Sequence, residues 1–230
     1  MSQSLSIIRD NLARVRERID QSARRCGRTG SDVCLVAVTK YVSNDVAAAV
    51  VSAGCGDLGE SRPQELWQKH EALSALDVRW HFIGHLQRNK VRRTLPMVGL
   101  LHSADSMRLI EELNQECVRL QRRLPVLLEV NISGEQAKHG FSPDELENTL
   151  PSIAELSNIE VRGLMAMAGL EGDLDDARRE FRAVRVLRDR LSKVTPLKEL
   201  SMGMSGDFEV AIEEGATIVR VGSALFEGLP

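Results

Sequence analysis

The chain has 230 residues, 43% hydrophobic and 27% charged, with a formal net charge of −3, a balance that gives no broad electrostatic reason to expect nucleic acid or an anionic membrane surface as partner. A chain of this length buries roughly 70–75% of the surface its unfolded form exposes, so neither disulfides nor a structural metal is needed. Cys26, Cys34, Cys55 and Cys117 form no C-x-x-C pair, no apolar run is long enough to span a membrane, and charges stand where a signal peptide needs its apolar stretch; a cytoplasmic protein with reduced thiols and no metal is expected.

In chain order, the first element is an amphipathic helix with Leu5, Ile8, Leu12, Val15 and Ile19 at helical spacing. Its basic residues Arg14, Arg16, Arg18, Arg24, Arg25 and Arg28 read as a solvated face, because no aromatic residues interleave with them as an RNA surface would require. Eight short apolar runs follow: VCLVAVT from Val33, DLG from Asp57, RWHFIG from Arg79, GLLHSA from Gly99, PVLLEVN from Pro125, IEVRGLMAM from Ile159, ELSMG from Glu199 and ATIVRVG from Ala216. Helical stretches such as PQELWQKHEALSAL, SMRLIEELNQECVRLQRR and LDDARREFRAVRVLRDRLSK separate them. Strict βα alternation implies a parallel sheet, and eight units imply closure. The expected fold is α/β, a single (β/α)8 TIM barrel over residues 1–230 with an extra N-terminal helix, since no Pro-, Gly- or Ser-rich linker divides it.

Strand parity predicts which side chains enter the barrel. In VLLEVN, Val126, Leu128 and Val130 should face the helices, leaving Leu127, Glu129 and Asn131 to point inward. Cys34, Val36, Val38 and Lys40 share a face, with Lys40 topmost, and Arg220 shares a face with Ile218 and Gly222. Polar groups therefore gather at the C-terminal strand ends, where barrel enzymes keep their sites. From its strand alone, Lys40 reads either as a lysine reaching to water or as a Schiff-base nucleophile. A free lysine amine is only about 0.1% neutral near pH 7.5, so the second role needs burial or a neighbouring cation.

The segment from Ser201 reads as two phosphate-cradling turns in succession. Gly203, Ser205 and Gly206 precede the helical DFEVAIEEG, while Gly222 and Ser223 precede the short ALFEG. Backbone N–H groups at helix starts attract anions, and barrels often bind phosphate after strands seven and eight. His81, inward with Arg79 and Ile83, reads as a hydrogen-bonded core histidine rather than a catalyst; Arg88, Lys90, Arg92 and Arg93 read as a solvated helix face.

The stretches LVAVTK, GESRPQE, WHFIGHLQRNK, LLEVNISGEQAKHGF, RGLMAMA and LSMGMSGDFEVAIEEGATIVRVGSALFEG together resemble the pyridoxal phosphate homeostasis protein family, related to the barrel domain of bacterial alanine racemases. The resemblance implies that Lys40 holds pyridoxal 5'-phosphate as an internal aldimine, that Ser205, Gly222 and Ser223 hold its phosphate, and that Arg220 approaches the pyridine nitrogen. Two departures concern the pocket: Ser61 stands where the family usually has asparagine, and RGLMAMAG lacks the proline often found there. The implied role is a monomeric carrier or buffer in vitamin B6 homeostasis that passes the cofactor to apoenzymes, with no catalytic residue.

A racemase needs two acid-base groups. In the related racemases the second is a tyrosine from a separate C-terminal domain of the partner subunit; here the chain stops at Pro230 and the only tyrosine is Tyr41, beside the lysine. The alternatives are a low-rate racemase-like enzyme with Lys40 as base and an aldolase-like sugar-phosphate barrel. Lys138 reads as a loop lysine or as a secondary amine at the same mouth.

Overall fold

The computed structural model describes residues 2–134, 139–169 and 172–229. Its strands β1 (Cys34–Val38), β2 (Asp57–Glu60), β3 (Arg79–Phe82), β4 (Leu100–Ala104), β5 (Leu124–Glu129), β6 (Ile159–Met165), β7 (Glu199–Ser201) and β8 (Ile218–Val221) each overlap one of the eight apolar runs. All pair in parallel in chain order, and β8 returns to β1 to close the barrel.

The alternation of side chains sorts the core into two parts. Val36, Leu100, Leu127, Met165 and Ile218, with Cys34 against them, plug the barrel. Residues of the opposite parity, including Leu58, Phe82, Val126, Leu128, Val130 and Val219, join the layer under the helices. The predicted facing of β1, β5 and β8 is therefore what forms. One boundary differs: β1 ends at Val38, and Lys40 lies beyond it in a turn, half-buried. Thr39 still donates its N–H to the Gly59 carbonyl at 3.0 Å, while its carbonyl and hydroxyl take other partners, described below.

The helices are α1 (Ser2–Arg25), α2 (Asn44–Ser52), α3 (Pro63–Ala72), α4 (Arg88–Thr94), α5 (Met107–Arg119), α6 (Pro143–Ala154), α7 (Leu174–Leu191), α8 (Phe208–Glu213) and α9 (Ser223–Phe226). Their starts are written locally. Ser43 and Ser106 accept from Val46 N and Leu109 N, and Ser142 with Glu145 and Asp173 with Asp176 form capping boxes ahead of α6 and α7. α1 buries Ile8, Leu12, Val15, Ile19 and Ala23. Its basic face is solvated as expected, and from it Arg18 pairs with Glu209 at 2.8 Å and Arg25 with Glu213 at 2.6 Å, both on α8. Exposed pairs of this kind add little stability but set the helix's azimuth.

Between the barrel and α3 lies a buried ion pair. Lys69 Nζ donates to Glu60 Oε1 and to the Thr39 carbonyl, each at 2.6 Å, and Thr39 Oγ1 donates to the same carboxylate oxygen at 2.7 Å. Lys69 is 2% exposed and Glu60 0%. This clamp ties the ends of β1 and β2 to α3, one residue before Lys40. Removing one partner strands the other charge in the interior, so Lys69→Met is expected to cost about 3–5 kcal/mol in urea denaturation, and Lys69→Met with Glu60→Gln to recover much of it.

Candidate functional site

The β1–β8 ladder pairs Val36 with Arg220 and Ala37 with Val221, so the segments that leave these strands emerge side by side at the C-terminal mouth. A cavity of about 670 Å³ opens there and is lined by Lys40, Ser205, Arg220, Gly222 and Ser223 together, the five residues singled out in the sequence. Ser61, Tyr41, Ile83, Met167 and Met204 complete much of its wall. Lys138 lies outside the described residues.

The anion end of the cavity is built by backbone. Ser205 Oγ accepts from Gly222 N at 3.2 Å and from Ala224 N at 3.4 Å, so two amide donors already converge on one oxygen. An oxygen bearing negative charge suits that seat better than a neutral hydroxyl. The preceding turn depends on Gly203, whose φ is +94° and whose added Cβ would lie 2.6 Å from Ala211 Cβ and 2.8 Å from Phe208 Cα. Its carbonyl accepts from Arg220 N at 3.0 Å, fixing the turn to the last strand.

Arg220 is 4% exposed. It is held from behind by the Ser201 carbonyl and hydroxyl on Nη1, at 2.8 and 2.6 Å, and by the Ala166 carbonyl on Nη2 at 3.0 Å. Burial pulls its pKa down to about 10, with Asp207 and Glu129 acting in the opposite sense, so the guanidinium remains a cation at neutral pH. Tyr41 is 78% exposed, with its ring between Lys40 Nζ at 5.0 Å and Arg62 Cζ at 5.8 Å. It stands on the lysine's own side of the mouth. Ser61 is held by the loop after β3, where a Cβ on Gly84 would approach the Ser61 carbonyl oxygen to 2.2 Å.

His81 is buried and hydrogen-bonded to Asp57 and His102, a core histidine as expected. On the other side of the mouth, His85 Nδ1 lies 2.6 Å from Asp105 Oδ2. The lining residues Met167 and Met204 and the buried His102 carried no sequence signal. The first two lie past strand ends, where parity stops informing, and a histidine in LLHSA reads like any other inward residue.

Glu129 ends β5 facing inward and is 6% exposed. Burial, reinforced by Asp105, pushes its carboxyl up to about 7, while Arg220 and His85 pull the other way. An acid whose pKa is raised on folding is most favourable to the fold while protonated, and that contribution fades as pH rises from the unfolded value toward 7. Glu129→Gln is therefore expected to leave the melting temperature unchanged near pH 4.5 and raise it near pH 8, by up to about 3 kcal/mol of stability in thermal denaturation.

The family model of the alanine racemase N-terminal domain matches residues 6–230. A pyridoxal phosphate homeostasis protein of Aquifex aeolicus is 42% identical, covering 94% of this chain and 96% of its own length. A solved structure from Bifidobacterium adolescentis superposes with a TM-score of 0.91 at 37% identity, covering 98% of this chain and 97% of that one. PipY of Synechococcus elongatus, solved with PLP bound, has a TM-score of 0.85 at 32% identity and covers 95% of this chain and 99% of its own. The chain thus belongs to the alanine racemase N-terminal domain family and, within it, to the pyridoxal phosphate homeostasis proteins.

Proposed function

We propose that this chain binds pyridoxal 5'-phosphate at the barrel mouth and acts as a cytoplasmic carrier or buffer of the cofactor, with little or no catalysis of its own. The observation that carries the reading is the meeting, in one cavity, of a lysine amine with an oxygen seat fed by two backbone N–H groups. Bound there, the cofactor would supply an electrophilic aldehyde and an electron-withdrawing ring. Lys40 is the amine for the aldehyde, Ser205, Gly222 and Ser223 the cradle for the phosphate, and Arg220 the neighbour of the ring nitrogen.

Two features favour a carrier over a racemase. Among the described residues the cavity wall itself carries Lys40, Tyr41 and Arg220 as its titratable groups, with His85, Asp105 and the inward Glu129 set outside that wall. Arg220 keeps its positive charge, and a cation beside the pyridine nitrogen opposes its protonation and so weakens the ring as an electron sink. The thiol on the same strand face does not compete for the aldehyde: burial pushes Cys34 up to about 12, well away from the reactive thiolate.

Protein incubated with pyridoxal phosphate is expected to turn yellow and to be bleached by borohydride, with the reduced adduct mapping to Lys40 in peptide mass analysis. Lys40→Ala is expected to abolish the colour, and Ser205→Ala to weaken binding about tenfold, the loss expected of one charge-assisted hydrogen bond. Labelling of another lysine with Lys40 spared would sink the site. Amino-acid racemisation or decarboxylation at about 1 to 1,000 per second would sink the carrier reading.

A further inference from the structure

Below the cavity, a single file of hydrogen bonds runs through the barrel. At the N-terminal end, Asp57 Oδ1 lies 2.8 Å from His81 Nε2. His81 Nδ1 lies 2.8 Å from His102 Nε2, and His102 Nδ1 lies 2.8 Å from Ser201 Oγ. Arg220 Nη1 then reaches the same Ser201 oxygen at 2.6 Å. The five residues come from β2, β3, β4, β7 and β8. His81, His102 and Ser201 are wholly buried, whereas the Asp57 side chain is 33% exposed.

With both rings neutral, the carboxylate end sets the direction of every bond in the file. A guanidinium only donates, so Ser201 Oγ accepts from Arg220 and, facing a bare His102 Nδ1, sends its one proton there. His102 must then carry its own proton on Nε2 and donate it to His81 Nδ1. His81 likewise carries its proton on Nε2 and donates to Asp57, whose carboxylate only accepts. Each middle group gives one bond and takes one, and bonds aligned in this way polarise one another. Burial favours the neutral form of both rings. Burial lowers the pKa of His81 against the opposing pull of Asp57, and lowers His102 further, assisted by His81 and Arg220. The other charged groups near the lower end are Arg79, 3.9 Å from Asp57, and Glu199. Driving the protons along the file toward Asp57 would leave Ser201 an alkoxide, so the assembly is a fixed strut and not a proton path.

We infer that Asp57, His81, His102 and Ser201 are positioning residues that together fix the orientation of the Arg220 guanidinium, so that a carboxylate at one end of the barrel governs the cation at the other. The importance of Arg220 to a bound ring rests on the cofactor reading above; the coupling of Asp57 to Arg220 is a property of the protein alone.

The test separates the two. In ligand-free protein, nitrogen-15 NMR of the histidines is expected to find His81 and His102 neutral and protonated at Nε2 from pH 6 to 8. In Asp57→Ala, the Arg220 side-chain protons, assigned by their loss in Arg220→Lys, are expected to shift and to exchange with water about tenfold faster, as when one net hydrogen bond is lost. Asp57→Glu is expected to restore them, and Ser201→Ala, which cuts the file at its upper end, to reproduce the Asp57→Ala effect. With pyridoxal phosphate labelled at the ring nitrogen, Asp57→Ala should also move the ring signal while Lys40 remains the residue trapped by borohydride. An unchanged Arg220 signal in Asp57→Ala, or either histidine protonated at Nδ1, overturns the inference whether or not the cofactor binds. Normal Arg220 coupling in a protein that takes up no cofactor leaves the inference standing and defeats the cofactor reading.

Discussion

The hydrogen-bonded seam between the first and last strands is the constraint on which the site depends. Cys34, Leu35, Val36 and Ala37 register against Ile218, Val219, Arg220 and Val221. Side chains on the paired stretch of these two strands alternate, so a one-residue slip at this seam would turn the buried guanidinium into the helix layer and take the inward face of β1 out of the barrel. The register is pinned from both sides of the sheet. Val36 and Ile218 belong to the apolar plug, while Ala37, Val219 and Val221 belong to the outer core. Because the seam is closed, residues at opposite ends of the chain meet in one cavity without any long loop having to carry them there.

The same geometry explains what was legible in the residues themselves. Strands appear as apolar runs because both faces of a parallel barrel are covered, and inward and outward sets follow from parity except where β4 and β6 carry register shifts, which place Leu101 with Ala104 and Val161 with Leu164 in the same outer layer. The five cavity residues were found because their segments lie at the C-terminal ends of β1, β7 and β8, where the fold puts its ligands, and because those segments resemble a family. Lys69 could not be found this way. In PQELWQKHEA it reads as an ordinary helix lysine, and only the approach of Glu60 and the Thr39 carbonyl makes it a buried one. The arginines of α1 form the solvated face that their pattern suggests, but the partners of two of them, Glu209 and Glu213 on α8, are equally invisible locally. Pairings made by the tertiary fold, here across 9 to 191 residues, leave no local trace.

The barrel carries unusual amounts of charge and polarity for an interior. Its apolar plug occupies the middle, with Arg220 and Glu129 above it, and His81 and His102 threading past it. Buried polarity of this kind adds little to stability compared with well-packed hydrocarbon, and its worth lies in uniqueness, because few arrangements satisfy all the donors at once. Glu60 shows the cost of such a design, since its Oε2 is buried without a hydrogen-bond partner among the described residues.

The packing of α1 has a consequence for the order in which the chain assembles. Asn11 Nδ2 donates to the carbonyl oxygens of Leu225 and Glu227 at 3.0 and 2.9 Å, so the opening helix is fastened to the end of α9 and the residue after it. During synthesis α1 is made well before these acceptors, which lie 214 and 216 residues further along the chain. Its apolar stripe can meet α2 early, but the part that packs against α8 and α9 stays uncovered until those helices are made, because contacts this distant form only after the intervening units have condensed. α1 is therefore a latch fitted late, closing on the short helix whose Ala224 N–H serves the cavity.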